Sequence, residues 1–180
     1  MQQDYIETPR LLLKRLEETD LHNFFELESD PVVQKYVTGF SNDTISTLEQ
    51  AAGILKAIRQ QYTDHGTGRL TVWEKSSGRF IGLAGMKWHP EMINNHSCFY
   101  EIGYRFLPEY WGKGYATEAA AAACDDCIAT FQPQQIYSFA HIDNHGSQKV
   151  LTKLDFNYIE DFTFNGAPMY WYARRNTGIR

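Results

Sequence analysis

The chain predicts an α/β (α+β) domain: a mostly antiparallel, mixed central sheet of six to seven strands flanked by about four helices. Three observations carry that expectation. Seven short runs rich in β-branched and aromatic residues are interspersed with stretches of helical periodicity. Lys75-Ser76-Ser77-Gly78 and Asn165-Gly166 each link two such runs in the manner of a hairpin turn. Finally, 180 residues with no linker, repeat or low-complexity tract suit one domain, 1–180, with its core from about 8 to 174.

Leu11 to Leu16 reads as the first strand, entered through Pro9. Thr19 or Asp20 then caps a helix carrying Leu21, Phe24, Phe25 and Leu27, which stops near Asp30-Pro31. A second helix, from about Thr44 to Tyr62, has Ile45, Leu48, Ala51, Leu55 and Ile58 at helical spacing. Arg69 to Glu74 and Arg79 to Trp88 form the sheet's middle, and 89–96 is a loop. Cys98 to Leu107 is the next strand, ended by Pro108, which has no N–H for a ladder. Ala116 and Ala119 to Ala123 announce a helix, with Glu118 favourable near its positive end. Gln135 to Ala140 is a short strand and Asn144 to Lys153 a short helix. Phe156 to Phe164 and Pro168 to Ala173 close the domain, with a frayed tail from Arg174.

Composition excludes several classes. No apolar run reaches the roughly 18 to 20 residues of a membrane span, and Met-Gln-Gln-Asp-Tyr-Ile-Glu lacks the basic and apolar segments of an export signal. A cytoplasmic protein is expected, with no membrane partner. A net charge of −5 argues against nucleic acid and suits a cationic partner better. Three cysteines do not make a disulfide framework; Cys124 and Cys127 share a helix face and read as packing residues, with half a zinc site or a redox pair as the alternative. His89 and His96 lack a ligand partner at metal spacing, so no metal is expected.

The segment Trp111-Gly112-Lys113-Gly114-Tyr115-Ala116-Thr117 lies between a strand and a helix. Glycines that tolerate φ > 0 let successive amides turn inward as a nest, and the first helical turn adds its own free N–H groups, a plan suited to a diphosphate. Lys113 adds charge to a site whose main contacts are backbone. No Walker string is present, and a dinucleotide fingerprint would need glycine where Thr117 stands. A capped helix after a glycine turn is the alternative for this segment alone.

Taken with Tyr100-Glu101-Ile102-Gly103-Tyr104, Asp143-Asn144-His145-Gly146-Ser147 and Lys153-Leu154-Asp155-Phe156, this ordered set resembles the GCN5-related N-acetyltransferases (GNAT), in particular the Rim-type ribosomal-protein N-terminal acetyltransferases. The resemblance begins at Thr8-Pro9-Arg10-Leu11 and covers nearly the whole chain. It implies transfer of an acetyl group from acetyl-CoA to a primary amine, on a protein N-terminus or a small molecule, by direct attack. A homodimer is compatible with it. A non-catalytic acyl-CoA-binding domain is the second reading.

The resemblance also assigns positions. Gly112, Lys113, Gly114, Tyr115, Ala116 and Thr117 make the cofactor cradle, and the backbone at Phe106 and Leu107 pairs with the pantetheine arm. Asn144 begins the second cofactor-contacting helix, and it serves equally as that helix's N-cap. Glu101 takes the place of the carboxylate that accepts the amine proton, commonly through water. A partly buried glutamate has its pKa raised toward working pH; the other reading is an ion pair with Arg105 or Lys87. Ser147 matches the serine that the Rim-type branch places near the sulfur. Leu151 stands where many members carry a proton-donating tyrosine, and that absence is the best support for the non-catalytic reading. Trp111 replaces a common Arg or Gln and removes one cationic phosphate contact. Tyr36, Phe40 and Tyr62 are acceptor contacts or plain packing.

Overall fold

The computed structural model describes residues 5–37 and 45–176. Its strands are β1 (Tyr5–Glu7), β2 (Leu11–Arg15), β3 (Arg69–Glu74), β4 (Arg79–His89), β5 (Phe99–Phe106), β6 (Gln135–His141), β7 (Asn157–Phe164) and β8 (Ala167–Arg175). The helices are α1 (Leu21–Ser29), α2 (Pro31–Gln34), α3 (Leu48–His65), α4 (Tyr115–Phe131) and α5 (His145–Lys153). One eight-stranded sheet runs in the order β1-β2-β3-β4-β5-β6-β8-β7, with β5 and β6 parallel and every other neighbour antiparallel.

The sheet exceeds the expected six to seven strands because β1 is too short to show a period, and pairs with β2 at Ile6↔Leu13. A fifth helix arises because Asp30 does not end the helical region. Its Oδ1 accepts from Val32 N–H at 2.7 Å and Val33 N–H at 3.2 Å and starts α2, with Pro31 at the first position, where a missing N–H costs nothing. Before α1, Asp20 makes no side-chain cap; its Oδ2 takes Glu17 N–H at 2.9 Å and closes a 3-10 turn at Glu18–Asp20. The expected start of α3 at Thr44 lies outside the described residues. Thr47 is its cap, exchanging bonds with Gln50. Arg174 is paired with Ile136 in β8, so the sheet continues past the point where fraying was expected.

Side-chain alternation divides the faces. On β5 the even residues, with Met86 across the ladder from Ile102, pack under Ala120, Ala123 and Cys124 of α4. The odd residues face α1, where Arg105 meets Glu28. Cys124 and Cys127 are buried in this packing and burial pushes both thiols up to about 12, so the packing reading holds. Among the described residues no helix is long and apolar enough to cross a membrane, and no group of three or more His, Cys, Asp or Glu is placed to hold a metal.

Candidate active site

The two parallel strands at the sheet's centre do not stay together. β5 and β6 pair only at Tyr100↔Ile136 and Glu101↔Tyr137, and then diverge. The gap opens into a cleft of about 570 Å³, lined on the α4–α5 face by Tyr104, Gly112, Ala116 and Ser147, and on the α1–α2 face by Arg69, His89, Glu101 and Arg105. Ser138 bridges the narrow end, donating from Oγ to Ile102 O at 2.9 Å.

On the α4–α5 face the glycine turn has the predicted conformation. Gly112 and Gly114 have φ of +74° and +82°, a region that side chains with a Cβ rarely adopt. The first helical bond of α4 runs from Glu118 N–H to Gly114 O, and the N–H groups of residues 112–117 find no acceptor among the described residues. Unpaired amides at a helix N-terminus are chemically suited to an anion. It is braced by a residue that the sequence reading did not assign. Arg10 donates from Nη1 to Lys113 O at 2.9 Å and from Nε to Glu118 Oε2 at 2.6 Å, and it lies 4.5 Å over the Tyr115 ring.

Leu107 N–H points toward β4, bonding Ile81 O at 3.0 Å, so by alternation the backbone of Phe106 points toward the gap. Its carbonyl is already taken by Trp111 Nε1 at 2.6 Å. The free strand edge offered to a ligand is therefore the N–H of Phe106 and the backbone of Tyr104. Leu107 turns to the ladder and does not line the cleft. Trp111, lacking a cationic group, closes the strand edge instead.

On the other face Arg69 reaches across two strands. Its register neighbours are Gly85 and then Gly103, and a Cβ at Gly103 would stand 2.2 Å from the guanidinium. Gly103 thus clears a path for an arginine to lie flat on the sheet. Its Nη1 donates to Gly85 O at 2.5 Å and Glu101 O at 3.0 Å, and its Nη2 to Glu101 Oε2 at 2.8 Å. His89 Nε2 lies 3.0 Å from the same Oε2, and His89 Nδ1 2.7 Å from Glu91 Oε1. Glu101 is 7% exposed and His89 2%, whereas Glu91 has half its side chain in solvent. An imidazole carries a proton on either nitrogen, so the ring links the cleft to the surface.

Glu101 departs from expectation in its ionisation. Burial pushes its carboxyl up, but Arg69, then His89 and Lys87, outweigh that and hold it down at about 2. The ion-pair partner is Arg69, a non-local neighbour, and not Arg105, which is held by Glu28 at 2.5 Å.

Asn144 caps α5, its Oδ1 accepting from Ser147 N–H at 3.1 Å. Ser147 Oγ lies 3.0 Å from the hydroxyl of Tyr104, which also donates to Ser147 O at 3.0 Å. Burial pushes the Tyr104 hydroxyl upward, favouring the proton-carrying phenol. A tyrosine therefore stands beside Ser147 after all, supplied by β5. Leu151 is fully buried in the core.

The model of the acetyltransferase (GNAT) domain family matches residues 10–157. The chain belongs to the GNAT acetyltransferase family. YkkB of Bacillus subtilis is 30% identical over 173 residues, which cover 94% of each chain. In fold, the enzyme is similar to a GNAT-family acetyltransferase from Bordetella pertussis (TM-score 0.80, 20% identity, 94% of this chain and 98% of that one). It is also similar to the ribosomal-protein-S5-alanine acetyltransferase from Vibrio fischeri (TM-score 0.75, 19% identity, 96% and 97%).

In this GNAT enzyme the structure brings Glu101, Phe106, Gly112, Ala116, Asn144 and Ser147 to one cleft. Lys113, Gly114, Tyr115 and Thr117 stand behind it as the frame of the turn; Lys113 Nζ lies 5.3 Å over the Tyr110 ring, and the Tyr115 hydroxyl donates to Glu74. Tyr36 lines the cleft. Tyr62 is occupied elsewhere, between Leu16 N–H and Arg69 O, and Phe40 lies outside the described residues. Sequence reasoning missed Arg10, Arg69, His89 as a partner of Glu101, and Tyr104. Only Gly103, a glycine within the central strand, hinted that something must cross there.

Proposed function

We propose that this acetyltransferase binds acetyl-CoA in the central gap and passes its acetyl group directly to a primary amine, which Glu101, backed by His89, holds in place while its proton leaves to water. The observation that carries this reading is a glycine turn with unpaired amides, Gly112 and Ala116 of which line the same cleft as a buried carboxylate–imidazole line. The residues fit the cofactor. The amides of 112–117 would hold its diphosphate, and the Phe106 N–H and the Tyr104 backbone its pantetheine. Acetyl-CoA supplies an activated acyl carbon and a thiolate leaving group. Glu101, low in pKa and so ionised throughout the working range, attracts the ammonium and accepts its hydrogen bond directly or through water. His89 holds that carboxylate in place with its Nε2–H, and the amine's proton leaves to water in the open cleft. On the opposite side Tyr104 and Ser147 present hydroxyls for the thiolate, which removes the main ground for a non-catalytic domain. The fold likeness to a ribosomal-protein acetyltransferase favours the Rim-type branch and a cytoplasmic setting.

Acetyl-CoA at millimolar concentration should raise the melting temperature, since a ligand bound only by the native state stabilises it by mass action. Thiol release with a panel of amines, its products read by mass spectrometry, tests transfer. Absence of both effects would overturn the reading.

A further inference from the structure

The cleft's α1–α2 face is richer in cations than a net charge of −5 suggests. Arg69, Lys87 and Arg105 line the cleft against two carboxylates, Glu101 and Asp143. Arg69 is committed: its Nη1 serves two carbonyls and its Nη2 the carboxylate of Glu101. Arg105 differs. It stands on the same face of β5 as Glu101, four residues on, which puts their Cα atoms roughly 13 Å apart along the strand. Only its Nη1 is held, 2.5 Å from Oε2 of Glu28, a carboxylate 2% exposed and steadied by Gln34 Nε2 at 3.2 Å. The Nε and Nη2 groups of Arg105 make no hydrogen bond among the described residues. Its side chain is only 16% exposed.

A guanidinium anchored at one corner, on a residue that lines the cleft, suits the planar fork of a carboxylate. Neither group is among the fully buried polar atoms, so both meet solvent in the open cleft, and a carboxylate there exchanges water for a charge-assisted pair. The same cleft is also lined by apolar residues: Val33 and Tyr36 near α2, and Phe139, Phe164 and Met169 from β6, β7 and β8. We infer that the acceptor is a free α-amino acid with an apolar side chain, its carboxylate taken by Arg105 and its amine placed toward Glu101. This rests on the transfer reading above and names its substrate class. The alternative acceptors lack one element each. A peptide N-terminus has a neutral carbonyl where the carboxylate would be, and a polyamine meets two guanidiniums.

The test is steady-state thiol release with L-methionine, L-leucine and L-phenylalanine, with the amide of each, with a Met-initiated tetrapeptide and with spermidine. The free amino acids should exceed their amides in kcat/KM by roughly 10-fold to 100-fold, the scale for leaving a site's charged donors unpaired. In Arg105→Ala and Arg105→Lys that preference should collapse toward one, through KM, while KM for acetyl-CoA stays within about threefold. The lysine variant keeps the charge and tests the fork, and the melting temperature of each variant, with and without acetyl-CoA, reports whether the fold survives. Wild-type enzyme that takes amides, the peptide or spermidine as well as it takes amino acids overturns the inference and leaves acetyl transfer standing. An undiminished amino-acid preference in both variants overturns it as well. No turnover with any acceptor overturns it too, and if acetyl-CoA also fails to shift the melting temperature, the transfer reading falls with it.

Discussion

The two faces of the central gap are built in opposite ways. The donor side is eleven consecutive residues, 108–118, that work through backbone amides, braced from far along the chain by Arg10, Thr8 and Glu74. The acceptor side is made of single side chains from β3, β4, β5 and α1: Arg69, His89, Glu101, Arg105 and Glu28. Backbone tolerates changes of side chain so long as φ is kept. A buried charge network tolerates almost none, because each member left alone is an uncompensated ion or dipole. Substitutions should therefore separate the faces by what they damage, affinity on one and both rate and fold on the other.

The largest effect is expected at Glu101→Gln. Turnover should fall by roughly 10² to 10³, the scale of an acid–base group, with the acetyl-CoA Kd little changed. Leaving Arg69 buried without its carboxylate should also cost about 3 to 5 kcal/mol in chemical unfolding. The acidic limb of the pH–rate profile should remain, because a carboxyl held at about 2 is not what ionises there. Should the variant lose that limb, Glu101 is an ordinary base and the network with Arg69 is misjudged.

The same carboxyl predicts acid stability. Its folded-state pKa lies below the ordinary 4.5, so its contribution is complete above pH 4.5 and is lost as pH falls toward about 2. Acid titration followed by circular dichroism should show this window in the wild type and a flatter curve in Glu101→Gln.

Gly114→Val comes next, and on the donor side only. With φ of +82° a valine is strained and must turn the nest's amides away, so the acetyl-CoA Kd should rise by roughly 10-fold or more, while Lys113→Ala changes it by less than about threefold. Calorimetric titration distinguishes them. A larger loss with the lysine variant would mean that side-chain charge, not backbone, binds the ligand.

The smallest effects belong to the hydroxyls. Tyr104→Phe should slow turnover by about 10-fold and Ser147→Ala by less, since a thiolate departs with only modest help. The double variant should lose little beyond Tyr104→Phe, because the two hydroxyls lie within one hydrogen bond of each other. Additive losses, measured by thiol release, would mean that they act on different atoms.

Much of this was legible beforehand for a local reason. The glycine turn, the strand before it and the alanine-rich helix after it are contiguous, and each rests on propensities that need no distant partner. The same holds for Asn144 over α5, where cap and helix are three residues apart. Tyr5–Glu7 and Pro31–Gln34 escaped because elements of three and four residues carry no period. The direction of the Glu101 shift was misread for a different reason. Burial was foreseeable from a central strand, but the arginine that outweighs it comes from β3, 32 residues earlier, through a path opened by Gly103.

By itself, then, the sequence determined the strand–turn–helix that presents free amides, the family, and the presence of a carboxylate on the central strand, since all three depend on neighbours along the chain. Only the tertiary structure decided that the carboxylate is paired and ionised, that a tyrosine from β5 stands beside Ser147, and that Arg105 lines the cleft with one donor held by Glu28. Those are properties of charges and hydroxyls brought together across strands, where energy depends on distance and burial, and neither is written in the order of residues.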